Sequence, residues 1–253
     1  MIHESAARGF ARAPDEYERG RPPYTEEAIA CLAEALILGP GRRVLDLAAG
    51  TGKLTRALAS TGSELVAVEP VDEMRAKISQ TLPGAEVLAG TAEAIPLPEA
   101  AVDAVTVGQA FHWFRGDDAL AEIHRVLRPG GRLGLIWNGR DDSSPWVAAL
   151  TELMEPYRGD APAFRSDAWR EAFERTSLFT PLERRRFRLE HELDPDGVVA
   201  RVTSVSFIAA LPDEEKRAVA GRVRELAAER QATSGRERIV LPYRTDVYWC
   251  ERR

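Results

Sequence analysis

Four short stretches carry side chains that could do chemistry, and each follows an apolar run. In Val44-Leu45-Asp46-Leu47-Ala48-Ala49-Gly50-Thr51-Gly52 a carboxylate precedes a turn with almost no side-chain bulk. Such a turn lets a ligand approach the backbone closely. Asp46 would repel a pyrophosphate and attract an ammonium group. Glu69-Pro70 closes the run Leu65 to Val68, and a carboxylate there suits hydrogen bonds from ribose hydroxyls. Thr91-Ala92-Glu93 follows Ala85 to Ala89, and Gln109-Ala110-Phe111-His112-Trp113-Phe114 follows Val102 to Val107. His112 is the candidate general base, since an ordinary histidine pKa of about 6.5 permits that role at neutral pH; an orienting hydrogen bond or packing beside Trp113 is the competing role.

The apolar runs that precede these groups read as strands buried on both faces. Helical spacing separates them: Leu54, Ala57 and Leu58; Met74, Ile78 and Leu82; then Leu120, Ile123, Val126 and Leu127. Strands alternating with helices give a doubly wound sheet, which binds ligands beyond the carboxyl ends of its parallel strands. All four stretches therefore face one crevice. A dinucleotide loop wants a third glycine where Thr55 stands. A ribose plus an ammonium, with no phosphate demanded, fits S-adenosylmethionine.

Val44 to Leu58, with Asp46, Gly50 and Gly52 as Asp-x-x-x-Gly-x-Gly, resembles the first motif of class I S-adenosylmethionine-dependent methyltransferases. Glu69-Pro70, Thr91-Ala92-Glu93, the Gln109 to Phe114 block and Leu127-Arg128-Pro129-Gly130-Gly131 follow at matching intervals. The resemblance spans about residues 17 to 138 and is nearest to small-molecule enzymes of the trans-aconitate methyltransferase-like, methyltransferase type 11 group. It implies an α/β, Rossmann-like seven-stranded mixed sheet, mostly parallel with an antiparallel last strand, and S-adenosylmethionine as cofactor with S-adenosylhomocysteine as product. It also implies a cofactor site of Asp46, Ala48, Gly50, Thr51, Gly52, Glu69, Pro70, Met74, Thr91, Ala92, Glu93, Gln109 and Ala110. Met74 is equally a core residue, and Glu93 equally a helix cap.

The remainder is organised around that core, residues 40 to 140, within a domain of residues 25 to 253. Residues 1 to 24 read as a lid, because Phe10, Tyr17, Arg21 and Tyr24 exceed what a solvated tail needs. Tyr17, Arg21, Tyr24, Trp113, Asn138 and Arg140 are the candidates for the acceptor side. Arg21 and Arg140 would pair with a substrate carboxylate. Asn138 and Arg140 read equally well as part of a helix-entry loop ending in Asp141-Asp142-Ser143-Ser144-Pro145. Two helices are expected over 145 to 176, a strand over 182 to 189, a helical insertion over 194 to 235, and a last strand over 239 to 249 broken at Pro242. Arg184-Arg185-Arg186-Phe187-Arg188 reads as the exposed side of its strand.

Composition bounds the partners. The chain has 253 residues, 44% hydrophobic content and a net charge of −6. An acidic chain argues against nucleic acid, whose phosphates select a basic face. No run reaches the length of a membrane span. Cys31 and Cys250 lie far apart and no metal-ligand spacing occurs, so neither a disulfide framework nor a metal site is expected. The expectation is a cytoplasmic monomer or homodimer that moves a methyl group to an oxygen or nitrogen of a small molecule. Two alternatives stand beside it: an NAD-dependent oxidoreductase with an atypical glycine loop, and a non-catalytic S-adenosylmethionine-binding protein.

Overall fold

The structure is a computed structural model and describes residues 21–253. Strands β1 (Arg43–Leu47), β2 (Glu64–Val68), β3 (Glu86–Leu88), β4 (Val102–Gly108) and β5 (Leu127–Arg140) are mutually parallel. β6 (Glu183–Leu193) and β7 (Ile239–Glu251) complete one sheet in the order β3-β2-β1-β4-β5-β7-β6. β7 runs antiparallel to both neighbours, as the sequence implies. The order reverses between β1 and β4, which opens a crevice at their carboxyl ends.

Helices cover both faces, so the strands read as continuous apolar runs. On one face α1 (Glu26–Ala35) and α2 (Lys53–Leu58) bring Leu32 and Leu54 against Val44, Ala104 and Ile136. Thr25 caps α1, its hydroxyl accepting from the Ala28 amide at 3.2 Å. On the other face α4 (Gly116–Val126) packs Leu120, Ile123 and Val126 on Leu45, Val105 and Leu133. Val44 and Leu45 thus serve opposite faces, the period-two alternation of a strand. α3 (Asp72–Thr81) joins β2 to β3 and buries Met74 and Ile78. Cys31 and Cys250 are both buried and free.

A second core lies beyond β5. Here α5 (Pro145–Met154) and three helices between β6 and β7 pack together: α7 (Pro195–Thr203), α8 (Ser206–Ala209) and α9 (Asp213–Ser234). The short α6 (Glu171–Arg175) belongs to the first core, beside Trp169. No helix among the described residues is long and apolar enough to cross a membrane.

Two strand expectations need correction. β7 is unbroken at Pro242, which pairs with Glu190 on one side. On its other side the β5 ladder stops at Arg140, opposite Tyr243, and the Pro242 carbonyl accepts from the Asp141 amide at 2.9 Å. The missing proline N–H falls where the ladder has ended, so it costs nothing. β6 is longer than expected, and Arg184 and Arg186 reach across to the buried Asp246 at 2.7 Å each rather than only facing solvent.

Asp103 ties the amino ends of the strands. It accepts from the Arg43 amide and the Arg128 guanidinium, each at 2.8 Å, and lies 3.4 Å from Arg42. Burial works to raise its pKa, but these donors outweigh it and hold the carboxyl below the usual range. Its stabilisation is therefore present above the ordinary carboxylate pKa and is lost as pH falls through the depressed one. Replacing Asp103 with Ala is expected to lower stability at pH 7 by roughly 1.5–3 kcal/mol. Urea unfolding should show that deficit shrinking below about pH 4; an unchanged midpoint at pH 7 would refute the role.

Candidate functional site

The crevice at the β1/β4 switch point holds a deep cavity built from five loop segments. Ala48, Gly50 and Thr51 come from the turn after β1, and Glu69, Pro70 and Met74 from the end of β2 and α3. Thr91, Ala92 and Glu93 follow β3, and Gln109, Ala110 and Trp113 follow β4. Arg21 and Tyr24 close the mouth. Nearly all the expected cofactor residues thus meet in one space. Gly52 is the exception. It turns away, and a Cβ there would stand 3.0 Å from the Ile78 side chain, so this glycine serves the packing of α2 on α3. Tyr17 lies outside the described residues.

Two strained backbone positions lie on the cavity wall. Ala48 and Gln109 take positive φ values of 55° and 63° without being glycines. Such residues cost on the order of 1–3 kcal/mol and persist where the surroundings over-determine them. Gly50 is also left-handed, and a Cβ on it would project into open space within the cavity. A side chain there would occupy ligand volume. Gly108 has the opposite constraint: a Cβ would come within 2.8 Å of the Tyr24 hydroxyl.

Asp46 lies under this floor, 1% exposed. The Thr55 hydroxyl donates to its Oδ2 at 2.6 Å and the Thr106 hydroxyl to its Oδ1 at 3.4 Å. Burial pushes its pKa up, and the two hydroxyls oppose that only in part, leaving it at about 7. Thr55 occupies the place of the third glycine of a dinucleotide loop. The departure has a definite use, since the threonine holds a buried carboxylate that a glycine would leave unpaired.

Glu69 is 6% exposed and clasps two amides, Gly50 N–H at 2.9 Å and Val71 N–H at 3.0 Å. Burial raises its pKa, partly countered by these amides. Each oxygen keeps a lone pair for a hydroxyl donor. Glu93 accepts from the Arg115 amide at 3.1 Å, just before α4, while lining the cavity. Met74 is likewise both core, at 2% exposed, and lining. A ribose acceptor, a buried carboxylate for an ammonium and an apolar wall of Met74, Val71 and Ala92 together fit S-adenosylmethionine.

A second cavity opens off the first, and Arg21, Gln109, Trp113, Asn138 and Arg201 line both. His112 and Arg140 lie in this second space, not in the first. The Trp137 indole N–H donates to His112 Nδ1 at 3.3 Å. Burial lowers the His112 pKa to about 3, with Arg21 and Arg158 adding to the effect. Its lone pair is taken and its cation disfavoured, so the geometry suits a neutral N–H donor and not the general base expected from sequence. Asn138 gives its amide N–H to the Pro23 carbonyl at 3.0 Å and accepts the Thr245 hydroxyl at 2.7 Å. It holds the Arg21–Tyr24 strap against the sheet. Lys53 Nζ, which sequence reasoning passed over, grips the same strap through the Arg21 carbonyl at 2.6 Å.

Asp46 yields a pH test. Its ionised form attracts an ammonium, so affinity for S-adenosylmethionine is expected to rise as pH climbs toward and through about 7. Asp46→Asn should weaken binding roughly tenfold, or about 1.4 kcal/mol, at pH 7.5. The ratio of variant to wild-type Kd, which cancels titration of the ligand's own amino group at roughly 7.7–8.0, should shrink toward pH 6. A ratio independent of pH would discount Asp46 as an electrostatic partner.

Comparison with known proteins agrees with this geometry. Residues 45–135 match the family model described as a methyltransferase domain. The chain is 41% identical over 236 residues to an uncharacterized methyltransferase of Mycobacterium tuberculosis, covering 93% of this chain and 92% of that one. It is 36% identical over 253 residues to an uncharacterized methyltransferase-like protein of Schizosaccharomyces pombe, covering 100% and 98%. A solved structure from Anaeromyxobacter dehalogenans, provisionally assigned as a type II methyltransferase, superposes with a TM-score of 0.66 at 26% identity over 92% of this chain and 97% of that one. These likenesses leave no ground for the oxidoreductase reading or the non-catalytic one. With its seven-stranded sheet and its ribose- and ammonium-suited cavity, the chain belongs to the S-adenosylmethionine-dependent methyltransferases.

Proposed function

We propose that the protein transfers the methyl group to an oxygen of a small organic acid. One observation carries this reading. The second cavity is lined by five arginines, Arg21, Arg140, Arg158, Arg165 and Arg201, and by no acidic side chain among the described residues. Arg158 pairs with Glu155 at 2.8 Å, and Arg165 pairs with Asp142. Arg140 has no such partner among the described residues, and its Nε is buried without a hydrogen bond. Burial and the nearby Arg201 push its pKa down to about 9. A guanidinium so placed calls for an anion from a ligand. On a chain of net charge −6, a confined cationic cavity also draws anions selectively.

The reacting atom follows from what the cavity lacks. The bound cofactor supplies a methyl carbon already activated by a positive sulfur. An amine or a phenol would need a proton removed at or before attack, and His112 is poorly suited to take it. A carboxylate oxygen needs no base. Trp113, Trp137 and Phe164 give the space flat apolar walls that exclude water, and Trp137 stacks on Phe164 at 4.5 Å. Joining a cation to an anion in such surroundings is favoured over the same reaction in water. The partner proposed is a soluble small acid, not nucleic acid or a membrane.

Incubation with methyl-labelled S-adenosylmethionine and a metabolite extract should label a small neutral ester that releases its label under mild alkali. Label in macromolecules, or an alkali-stable product, would overturn the reading. Arg140→Met should raise KM for the acid roughly tenfold or more, as loss of a charge-assisted bond predicts, with Kd for S-adenosylmethionine unchanged. His112→Gln, which can still accept from Trp137, should keep kcat within about threefold, because general-base loss would cost roughly a hundredfold or more.

A further inference from the structure

Arg201 occupies the junction of the two cavities and is the one shared lining residue contributed by the helical insertion. It stands in the last turn of α7, whose start is set by Asp194 accepting from the Gly197 amide and by Pro195 at the first helical position. Arg201 is 5% exposed. Its Nε donates to the Tyr243 hydroxyl of β7 at 2.8 Å. Its Nη1 is buried with no hydrogen-bond partner among the described residues. The neighbouring guanidinium of Arg140 repels it. Burying a charge without a counter-ion costs several kcal/mol, and the Tyr243 ring, whose centroid lies 5.9 Å from the guanidinium carbon, offsets only part of that cost.

We infer that Arg201, aimed by the Tyr243 hydroxyl, binds the anionic oxygen of the acceptor at the junction and so selects the atom that is methylated. The inference rests on the acid-acceptor reading above. An oxygen held there lies where both cavities meet, between the cofactor space and the aromatic walls. As it forms its bond to the methyl carbon, the carbon–sulfur bond breaks and its electron pair stays on sulfur. No proton moves, and a carboxylate and a sulfonium become a neutral ester and a neutral thioether. The ester no longer needs a guanidinium, which favours its release. Tyr243 is a positioning residue, since it touches Arg201 and not the acceptor. The family match covers residues 45–135 and stops short of both Arg201 and Tyr243.

The test uses full-length wild type, Arg201→Met, Arg201→Lys and Tyr243→Phe. Binding of benzoate, phenylacetate, succinate and citrate to the complex with S-adenosylhomocysteine is read from tryptophan fluorescence, since Trp113 and Trp137 line the second cavity. Binding of S-adenosylmethionine is read by calorimetry. Arg201→Met should weaken binding of the best acid about tenfold or more, the scale of a lost charge-assisted bond, and leave S-adenosylmethionine affinity within about twofold. Arg201→Lys keeps the charge but not the two-pronged geometry, and should lower kcat more than it raises KM. Tyr243→Phe removes one oxygen and should do the same more weakly. Acid binding within threefold of wild type in Arg201→Met would overturn the inference while leaving the acid-acceptor reading intact. Acids that bind wild type through Arg201 but are never methylated would overturn the reading and not the binding role. No acid binding to wild type would overturn the inference outright.

Discussion

A buried carboxylate gripped by two hydroxyls sets the geometry on which the site depends. Asp46 at the end of β1 is reached by Thr55 from α2 and Thr106 from β4. Those three bodies are the floor and two walls of the crevice. Because an unpaired charge there would be costly, the two hydroxyls fix how α2 leaves β1 and how β4 lies beside it. The strained turn at Ala48 and the left-handed Gly50 follow from that fixed exit. Glu69 then clamps the Gly50 amide from the neighbouring strand end, so the second carboxylate stiffens the turn that the first one anchors.

The two cavities differ in charge, with Arg21 and Arg201 shared at their border. The cofactor side is built on buried carboxylates, Asp46 and Glu69, both with raised pKa values. The second cavity, proposed for the acceptor, is lined by guanidinia, with Arg140 lowered to about 9. A cationic cofactor and an anionic acceptor would each find the opposite charge in its own space. Asn138 and Lys53 hold the Arg21–Tyr24 strap over the border between them. The same amide of Asn138 that looks available for substrate in the sequence is spent on this strap and on Thr245.

Much of the cofactor half was legible because its signals are local. A carboxylate, a small-residue turn and a helix within fifteen residues must fold back on themselves, and parallel strands bring successive strand ends to one crevice. Glu69, Glu93 and Ala92 could be read in this way. Gly52 was misread because a glycine for helix packing and a glycine for ligand access look the same in a sequence. For His112 the sequence leaves a base and an orienting hydrogen bond both open, because its burial and hydrogen bonding depend on Trp137, a residue from the next strand. Thr55 was noted only as an absent glycine, though its distance of nine residues from Asp46 spans strand end to helix and is itself a local signal.

The sequence by itself determined the alternation of strands and helices and the strand ends that share one crevice, while its resemblance to class I methyltransferases implied the antiparallel end of the sheet. Periodicity and turn chemistry act over a few residues and need no tertiary partner to be read. Only the tertiary structure decided the acceptor side. Arg140 ends β5, Arg158 follows α5, and Arg201 lies in the last turn of α7, well separated along the chain. Their convergence depends on how the insertion docks through Val198, Val202 and Tyr243. No spacing rule brings such distant positions together; packing does, and it leaves two guanidinia facing a cavity lined by no acid among the described residues.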